Sequence, residues 1–472
     1  MMGGCRPIRS VKIVVIDDDP TGSQTVHGCP LLLRWDPDTL AAALRDPSPL
    51  LFVLSNSRAL APEGAAARVR QICRALAPAL AAAVAEGTID RWLVVSRGDS
   101  TLRSHFPLEV EVIAAELGPF DATLLVPAFL EGGRTTVHGV HRLHGRPVHE
   151  SEFSRDRLLG FRSSYLPAWV EERSGGRIPA AAVARIDVAE LDAAVAGGEG
   201  RRALVERLAA FEANRIVAVD AERPAHLVQL AAAVRQLAGA PGGRPRRFLL
   251  QSAAGLLPHL AQLPPPPLAG AQLAGLRRRD PAGTLLPGLV VVGSHVPLAD
   301  AQLAALLEEP GCAGVEVQVE KVLRVLEGPL PDRMLRSLEQ AWREGLERVL
   351  ASGRTPVLFT SRGETPCSGA GERRRLGTVL AGITARLAAA QAPRLGYVLS
   401  KGGITSQTLL AEGLAVDRVQ LQGQLLPGLS LVLAAQDRDG QAPLPVLTMP
   451  GNLGDGDTLR RAWRCMETPA SA

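Results

Sequence analysis

Residues 12–25 read KIVVIDDDPTGSQT, a short apolar run that breaks into three acids, a proline, a glycine and a cluster of hydroxyls. A short apolar, β-branched run with such an ending reads as a buried strand followed by a polar loop. The same pattern recurs. LLFVL at 50–54 leads into Ser55 to Arg58, WLVVS at 92–96 into RGDSTLRSH (97–105), and ATLLV at 122–126 into PAFLEGGRTT (127–136). Ala/Leu-rich stretches of helical length, such as 64–85 and 107–117, lie between them, and RIVAV (215–219) and RFLL (247–250) predict two more strands. Strands alternating with helices specify βα units and parallel sheets.

The pattern lapses at 239–246 (GAPGGRPR) and over 263–288, a Pro/Gly-rich stretch without a period. It then restarts, with strands predicted at 289–292, 315–319, 356–359, 395–399 and 445–448 and helices at 298–308, 331–352 and 372–390. We therefore expect an α/β protein of two domains, 1–262 and 289–472, joined by a linker at 263–288. Each domain is expected to be a mostly parallel sheet flanked by helices, with the active site in the cleft between them.

Composition narrows the class. Apolar residues make up 46% of 472, enough for sizeable cores, but aromatics only 3%, so Ala, Leu and Val must fill them. Fifty-two basic against 48 acidic residues give +4 over this length, with no dense basic run, which excludes a nucleic-acid footprint. The only lysines are Lys12, Lys321 and Lys401. Lys401, in a glycine-rich stretch, is either a position that needs a compact ammonium or a chance remainder. Six scattered cysteines without a CxxC pair fit a reducing compartment rather than a zinc site or a disulfide framework. The N-terminal apolar run is too short for a signal peptide and no stretch reads as membrane-spanning, so the expected location is the cytoplasm.

In open parallel sheets, ligands bind beyond the C-terminal ends of the strands. Four successive strand ends in the first half carry carboxylates, hydroxyls and arginines. Those of the second half are Gly293 to His295, Thr360 to Glu364, Ser400 to Ser406 and Met449 to Thr458, richer in glycine and poorer in acid. Glycine lets backbone N–H groups approach a phosphate closely. There is no G-x-x-x-x-G-K-[ST] motif, so a P-loop enzyme is excluded. Acids for a hydroxyl, arginines for an anion and glycines for phosphates together suit a kinase, since phosphoryl transfer is mainly positioning and charge neutralisation.

At this point the chain resembles the four-carbon acid sugar kinase family over nearly its whole length. The matching elements are Asp18-Asp19-Pro20-Thr21-Gly22, Arg97-Gly98-Asp99-Ser100-Thr101-Leu102-Arg103, Pro127-Ala128 with Gly133-Arg134, and Glu152-Phe153-Ser154-Arg155-Asp156. In the second half they are Gly293-Ser294, Gly402-Gly403-Ile404-Thr405 and Gly451-Asn452-Leu453-Gly454-Asp455. The resemblance implies an N-terminal domain holding a tetronate or 3-oxo-tetronate and a C-terminal domain holding ATP with Mg2+. It assigns Thr21, Arg97, Asp99, Ser100, Thr101, Arg103 and Arg134 to the sugar acid. It assigns Ser294, Lys401, Gly402, Gly403, Ile404, Thr405, Gly451, Asn452 and Asp455 to the nucleotide, and leaves metal ligands open. Asp18 and Asp19 are the candidates for the base. Alternation along an extended segment would turn them to opposite sides. Arg103, then Arg134, is expected to grip the substrate carboxylate.

The chain departs from the family pattern at Asp17, which stands where a small residue is common, and at Arg97, which stands where lysine is frequent. His138, His141, His144 and His149 form a stretch that reads as a solvated loop rather than a metal site. Two rival readings stand beside the kinase. A haloacid-dehalogenase-like phosphatase would use Asp17 as nucleophile and Asp19 as general acid. A non-enzymatic sugar-acid sensor would need no nucleotide loops. The expected partners are the sugar acid and ATP, neither nucleic acid nor membrane, with homodimerisation left open.

Overall fold

The computed structural model describes residues 11–239, 244–363, 370–435 and 442–468. The chain divides into two compact units, 1–265 and 266–472.

The first unit is built on eight strands: β1 (Val11–Asp17), β2 (Cys29–Leu32), β3 (Leu50–Leu54), β4 (Arg91–Arg97), β5 (Ala122–Val126), β9 (Ala184–Ile186), β10 (Arg215–Val219) and β11 (Phe248–Ser252). Their order is β2-β3-β1-β4-β11-β5-β10-β9, and every pairing is parallel. The apolar runs are continuous rather than alternating because helices cover both faces, as parallel sheets require. Val14, Ile16, Leu51, Val53 and Val94 pack with Val69, Ile72 and Leu76 of the helix Pro62–Ala85 and with Ile113 of the helix Leu108–Leu117. Register then sets the chemistry, because Asp17 pairs with Arg97 across β1 and β4, and Arg97 with Ser252 across β4 and β11. The loops leaving these strands start side by side.

A three-stranded antiparallel sheet, β6 (Arg134–Val137), β7 (Val140–Leu143) and β8 (Arg146–Pro147), was not foreseen. It corrects the reading of the histidine stretch as a wholly solvated loop. His138, His144 and His149 are exposed, but His141 is fully buried on β7, bridging Thr136 Oγ1 (2.9 Å) and the Ser100 carbonyl (2.8 Å). Burial among neutral partners pushes its pKa down to about 4, so it is an uncharged strut.

The second unit has strands β12 (Gly288–Val292), β13 (Cys312–Val317), β14 (Thr355–Thr360), β15 (Tyr397–Lys401), β16 (Arg418–Leu426), β17 (Leu429–Ala434) and β18 (Leu444–Met449), in the order β13-β14-β12-β15-β18-β17-β16. The pairings from β13 to β18 are parallel, while β17 and β16 add an antiparallel hairpin. That hairpin was missed at the sequence level, although the burial of β16 alternates at period two. The stretch read as linker is only partly free. Leu273 and Ala274 are buried in the core of the second unit, and Arg277 Nη1 reaches the Met466 carbonyl at 2.8 Å. The Pro-rich segment 264–267 is exposed.

Candidate functional site

Asp17 ends β1, and the chain then bends instead of staying extended, with Gly22 N–H bonded to the Asp19 carbonyl at 2.9 Å. Asp18 and Asp19 consequently do not face opposite ways. Both meet Arg58, whose Nε and Nη2 fork onto Asp18 at 3.0 and 2.5 Å while Nη1 holds Asp19 Oδ2 at 2.9 Å. Arg97 Nη1 adds a second cation to Asp18 at 3.1 Å and lies 3.4 Å from Asp17. Arg58 leaves β3 in the Ser55–Arg58 loop, which the sequence placed at the crevice without assigning Arg58 a role.

The β4 loop supplies the other half. Leu102 takes φ +67°, a left-handed conformation that a leucine holds only where its surroundings enforce it. Its side chain is buried, and Asp99, Thr101 and Arg103 gather on one side. Thr101 Oγ1 donates to Asp99, and Arg103 Nε binds Asp99 Oδ2 at 2.8 Å while its guanidinium stacks 4.7 Å over Phe153. Arg58 Nη1 stands 3.9 Å from Asp99. Ser100 contributes its carbonyl to His141, so the antiparallel sheet braces this loop. Thr21 donates both N–H and Oγ1 to Asp19 Oδ1 at 2.8 and 2.5 Å, closing the β1 loop on itself.

The charges sort by burial and partner. Burial would raise Asp19 and Asp99, but the arginines beside them win and hold both below the ordinary carboxylate range. Desolvation dominates at Asp17 and Glu109, pushing each up to about 7. Asp17 is completely buried, with Oδ2 lacking a hydrogen-bond partner. A nucleophile must be reachable, so the phosphatase reading fails at its first residue. Gly22 has no room for a side chain, because a Cβ would strike Asp17 Oδ1 and Arg97 Nη1. Arg134, at the start of β6, stands apart. Among the described residues no carboxylate lies within ion-pair distance of it; Nη1 donates to the Gly132 carbonyl, and its buried Nε has no partner. Arg103, the first choice for the substrate carboxylate, meets Asp99 through its Nε.

In the second unit, loops from β12, β15 and β18 converge. A Cβ at Gly293 would strike Thr405 Oγ1, one at Gly402 would lie 3.4 Å from the Ser294 backbone N, and one at Gly451 would lie 2.5 Å from Ser294 Oγ. Gly402, at φ +117°, turns the chain from β15 into the short helix Gly403–Thr408. Ile404 is 57% exposed beside it. Lys401 is wholly buried, its Nζ donating to the Pro450 carbonyl at 3.0 Å, and burial pushes its pKa down to about 8. It ties the β15 and β18 loops together from beneath. Asn452 is exposed in the β18 loop, and Asp455 is engaged by Thr458 Oγ1 at 2.9 Å and Arg461 Nη2 at 3.1 Å. Arg362 binds the Ser294 carbonyl at 2.6 Å and also pairs with Asp300, and neither was foreseen. Glu364 lies outside the described residues.

A Mg2+–nucleotide fits this loop set in kind, because glycine loops supply N–H donors to phosphates, while the ion itself is held by substrate phosphates, waters and one or two carboxylates. No group of three or more His, Cys, Asp or Glu that could hold a metal ion occurs among the described residues. Nor is any described helix long and apolar enough to cross a membrane.

Two parallel-sheet units, one with an acid–arginine crevice and one with converging glycine loops, define a two-domain α/β phosphotransferase. Residues 13–260 match the family model of a sugar-binding N-terminal domain, and 289–459 that of a nucleotide-binding C-terminal domain. The chain belongs to the four-carbon acid sugar kinase family. It is 28% identical to a D-threonate kinase of Bordetella bronchiseptica over 397 residues, 82% of this chain and 83% of that one. It is 27% identical to a D-erythronate kinase of Heliobacterium modesticaldum over 203 residues, 41% and 44% of the two chains. The crystal structure of Haemophilus influenzae protein HI1011 shares the fold, with a TM-score of 0.60 at 17% identity over 96% of this chain and all of that one.

Proposed function

We propose that the protein uses ATP, as its Mg2+ complex, to phosphorylate a hydroxyl of a tetronate such as threonate or erythronate. The observation that carries this reading is the crevice of the first unit, where Arg58, Arg97 and Arg103 pair with aspartates while Arg134, among the described residues, has no carboxylate within ion-pair distance and is placed to receive an anion. A guanidinium suits a carboxylate by geometry as well as charge. Asp99 offers an acceptor for a sugar hydroxyl, and the buried Thr101 and Thr21 hold Asp99 and Asp19 in place. Of the two candidate bases, Asp19 is the accessible one, its side chain 22% exposed against 3% for Asp18. Its lowered pKa makes it a weak base, which suffices to orient a hydroxyl for a loose transition state. Asp18 is then the buried anchor of Arg58 and Arg97. In the second unit, the N–H groups around Ser294, Gly402 to Thr405 and Gly451 would receive the phosphates, while Asn452 and Asp455 lie in the loop beside them.

The test is an ATP-dependent screen over tetronates, 3-oxo-tetronates and other short aldonates, reading ADP release. Turnover confined to four-carbon acids supports the proposal; release of phosphate from a generic aryl phosphate without ATP, or no turnover with any acid, overturns it. Within the active pair, Asp19→Asn should lower kcat by about 10²–10⁴ with KM little changed, and Asp99→Asn should mainly raise KM.

A further inference from the structure

Beneath Arg58, three buried side chains form a string. Ser55 Oγ lies 2.8 Å from the Asp17 carbonyl, Ser57 Oγ lies 3.0 Å from Ser55 Oγ, and Glu109 Oε1 lies 2.5 Å from Ser57 Oγ. Ser55, Ser57 and Glu109 are 1%, 0% and 3% exposed, so bulk water is kept from the string. Each serine carries one hydroxyl proton. The Asp17 carbonyl, which also takes the Ser55 N–H at 2.8 Å, can only accept. The three oxygen–oxygen contacts need three protons, and the two serines supply two. A protonated Glu109 supplies the third, so that every contact carries a proton. An ionised Glu109 would take the Ser57 proton and leave Ser55 Oγ facing either the Asp17 carbonyl oxygen or Ser57 Oγ with lone pairs opposed.

We infer that Glu109 is a positioning residue that acts as an uncharged carboxylic acid, heading a one-way string of hydrogen bonds that fixes the loop carrying Arg58 against the end of β1. The inference rests on the kinase reading only for what that loop serves. The charged and titratable groups around Glu109 agree with it. Asp18, on the β1 loop, disfavours a second negative charge, and Arg58, on the β3 loop, is already held by Asp18 and Asp19. His105, preceding the helix that carries Glu109, is kept uncharged by burial and holds the Ser57 carbonyl at 3.1 Å. From the helix Pro62–Ala85, Arg68 Nη1 takes the Ser55 carbonyl at 3.1 Å. Backbone and side chain of the Ser55–Arg58 segment are thus gripped on all sides, and Glu109 supplies the proton that completes the set.

The test compares Glu109→Gln, which keeps a donor of the same shape, with Glu109→Ala. For the sugar acid, Glu109→Gln should stay within about threefold of the parent kcat/KM at pH 6.5, and Glu109→Ala should lose about tenfold or more. At pH 8.5 Glu109→Gln should exceed the parent, because its donor cannot ionise. Asp17 titrates in the same range, so any alkaline loss remaining in Glu109→Gln should vanish in the Asp17→Asn/Glu109→Gln double variant. Independently of activity, the melting temperature of Glu109→Gln relative to the parent should rise from pH 4.5 to 8.5. Equal impairment of the Gln and Ala variants with no such rise, or full activity of Glu109→Ala, overturns the inference. A parent that phosphorylates no tetronate removes the kinase reading, while the melting comparison still judges Glu109.

Discussion

With their neighbours in view, we propose Arg134 ahead of Arg103 as the grip on the substrate carboxylate. Arg103 meets Asp99 through Nε and stacks on Phe153, so its charge is already compensated, whereas among the described residues Arg134 faces a backbone carbonyl and no carboxylate within ion-pair distance. Arg134→Ala should raise the sugar-acid KM by about ten- to a hundredfold and leave the ATP KM alone, since a charge-assisted bond contributes about 1.5–3 kcal/mol. Steady-state kinetics with each substrate varied in turn checks this, and an effect on the ATP KM alone would place Arg134 in the wrong site. Asp17 makes a different prediction. Its folded pKa, raised by burial to about 7 from 3.8, means the folded chain keeps a proton that the unfolded chain loses. The stability this contributes is fully present below about pH 4 and lost as pH rises through about 7. Asp17→Asn cannot ionise, so its melting temperature should gain on the parent from pH 4 to pH 8; a constant gap would show that Asp17 is charged throughout.

At the scale of elements, what the sequence makes legible is the strand and its loop. The apolar runs at 12–16, 50–54, 92–96 and 122–126 became four strands of one parallel sheet, because a strand buried on both faces cannot hide its composition. β2, β6 to β9, β16 and β17 were not read. β2 and β9 are short and pair with strands far along the chain, which local periodicity does not carry. β6 to β8 and the β16–β17 pair are local hairpins turning at His138-Gly139, His144-Gly145 and Pro427-Gly428, a signal that was present and passed over. The site was legible as a set of loops, but not in its pairings. Arg58 and Glu109 were missed because one sits in a four-residue loop without a motif and the other in the first turn of a helix, where an acid reads as ordinary dipole pairing. Two glycines translate this into tests. Gly22→Ala should push Asp17 and Arg97 aside and raise the sugar-acid KM. Gly293→Ala should push Thr405 aside and raise the ATP KM. Kinetics in which both variants weaken the same substrate would break the assignment of one ligand to each unit.

For the whole chain, the stretch 263–288 is expected to be a linker within which limited proteolysis cuts. Burial of Leu273 and Ala274 restricts that expectation to its first part. A protease of broad specificity should nick between 262 and 272, and early cleavage between 273 and 279, read by mass spectrometry, would contradict the packing described. A last consequence follows from the paired crevice. Below about pH 7, where Asp17 and Glu109 keep their protons, Arg58, Arg97 and Arg103 face Asp18, Asp19 and Asp99, so from outside the crevice their fields cancel in pairs and Arg134 contributes roughly one unit of positive charge. An anion about one Debye length away therefore feels little pull, and its capture depends on diffusion into contact rather than on steering. Raising ionic strength from about 20 to about 200 mM shortens the screening length roughly threefold. Even so, kcat/KM for the sugar acid should change by less than about threefold, where a crevice of three unpaired arginines would lose far more.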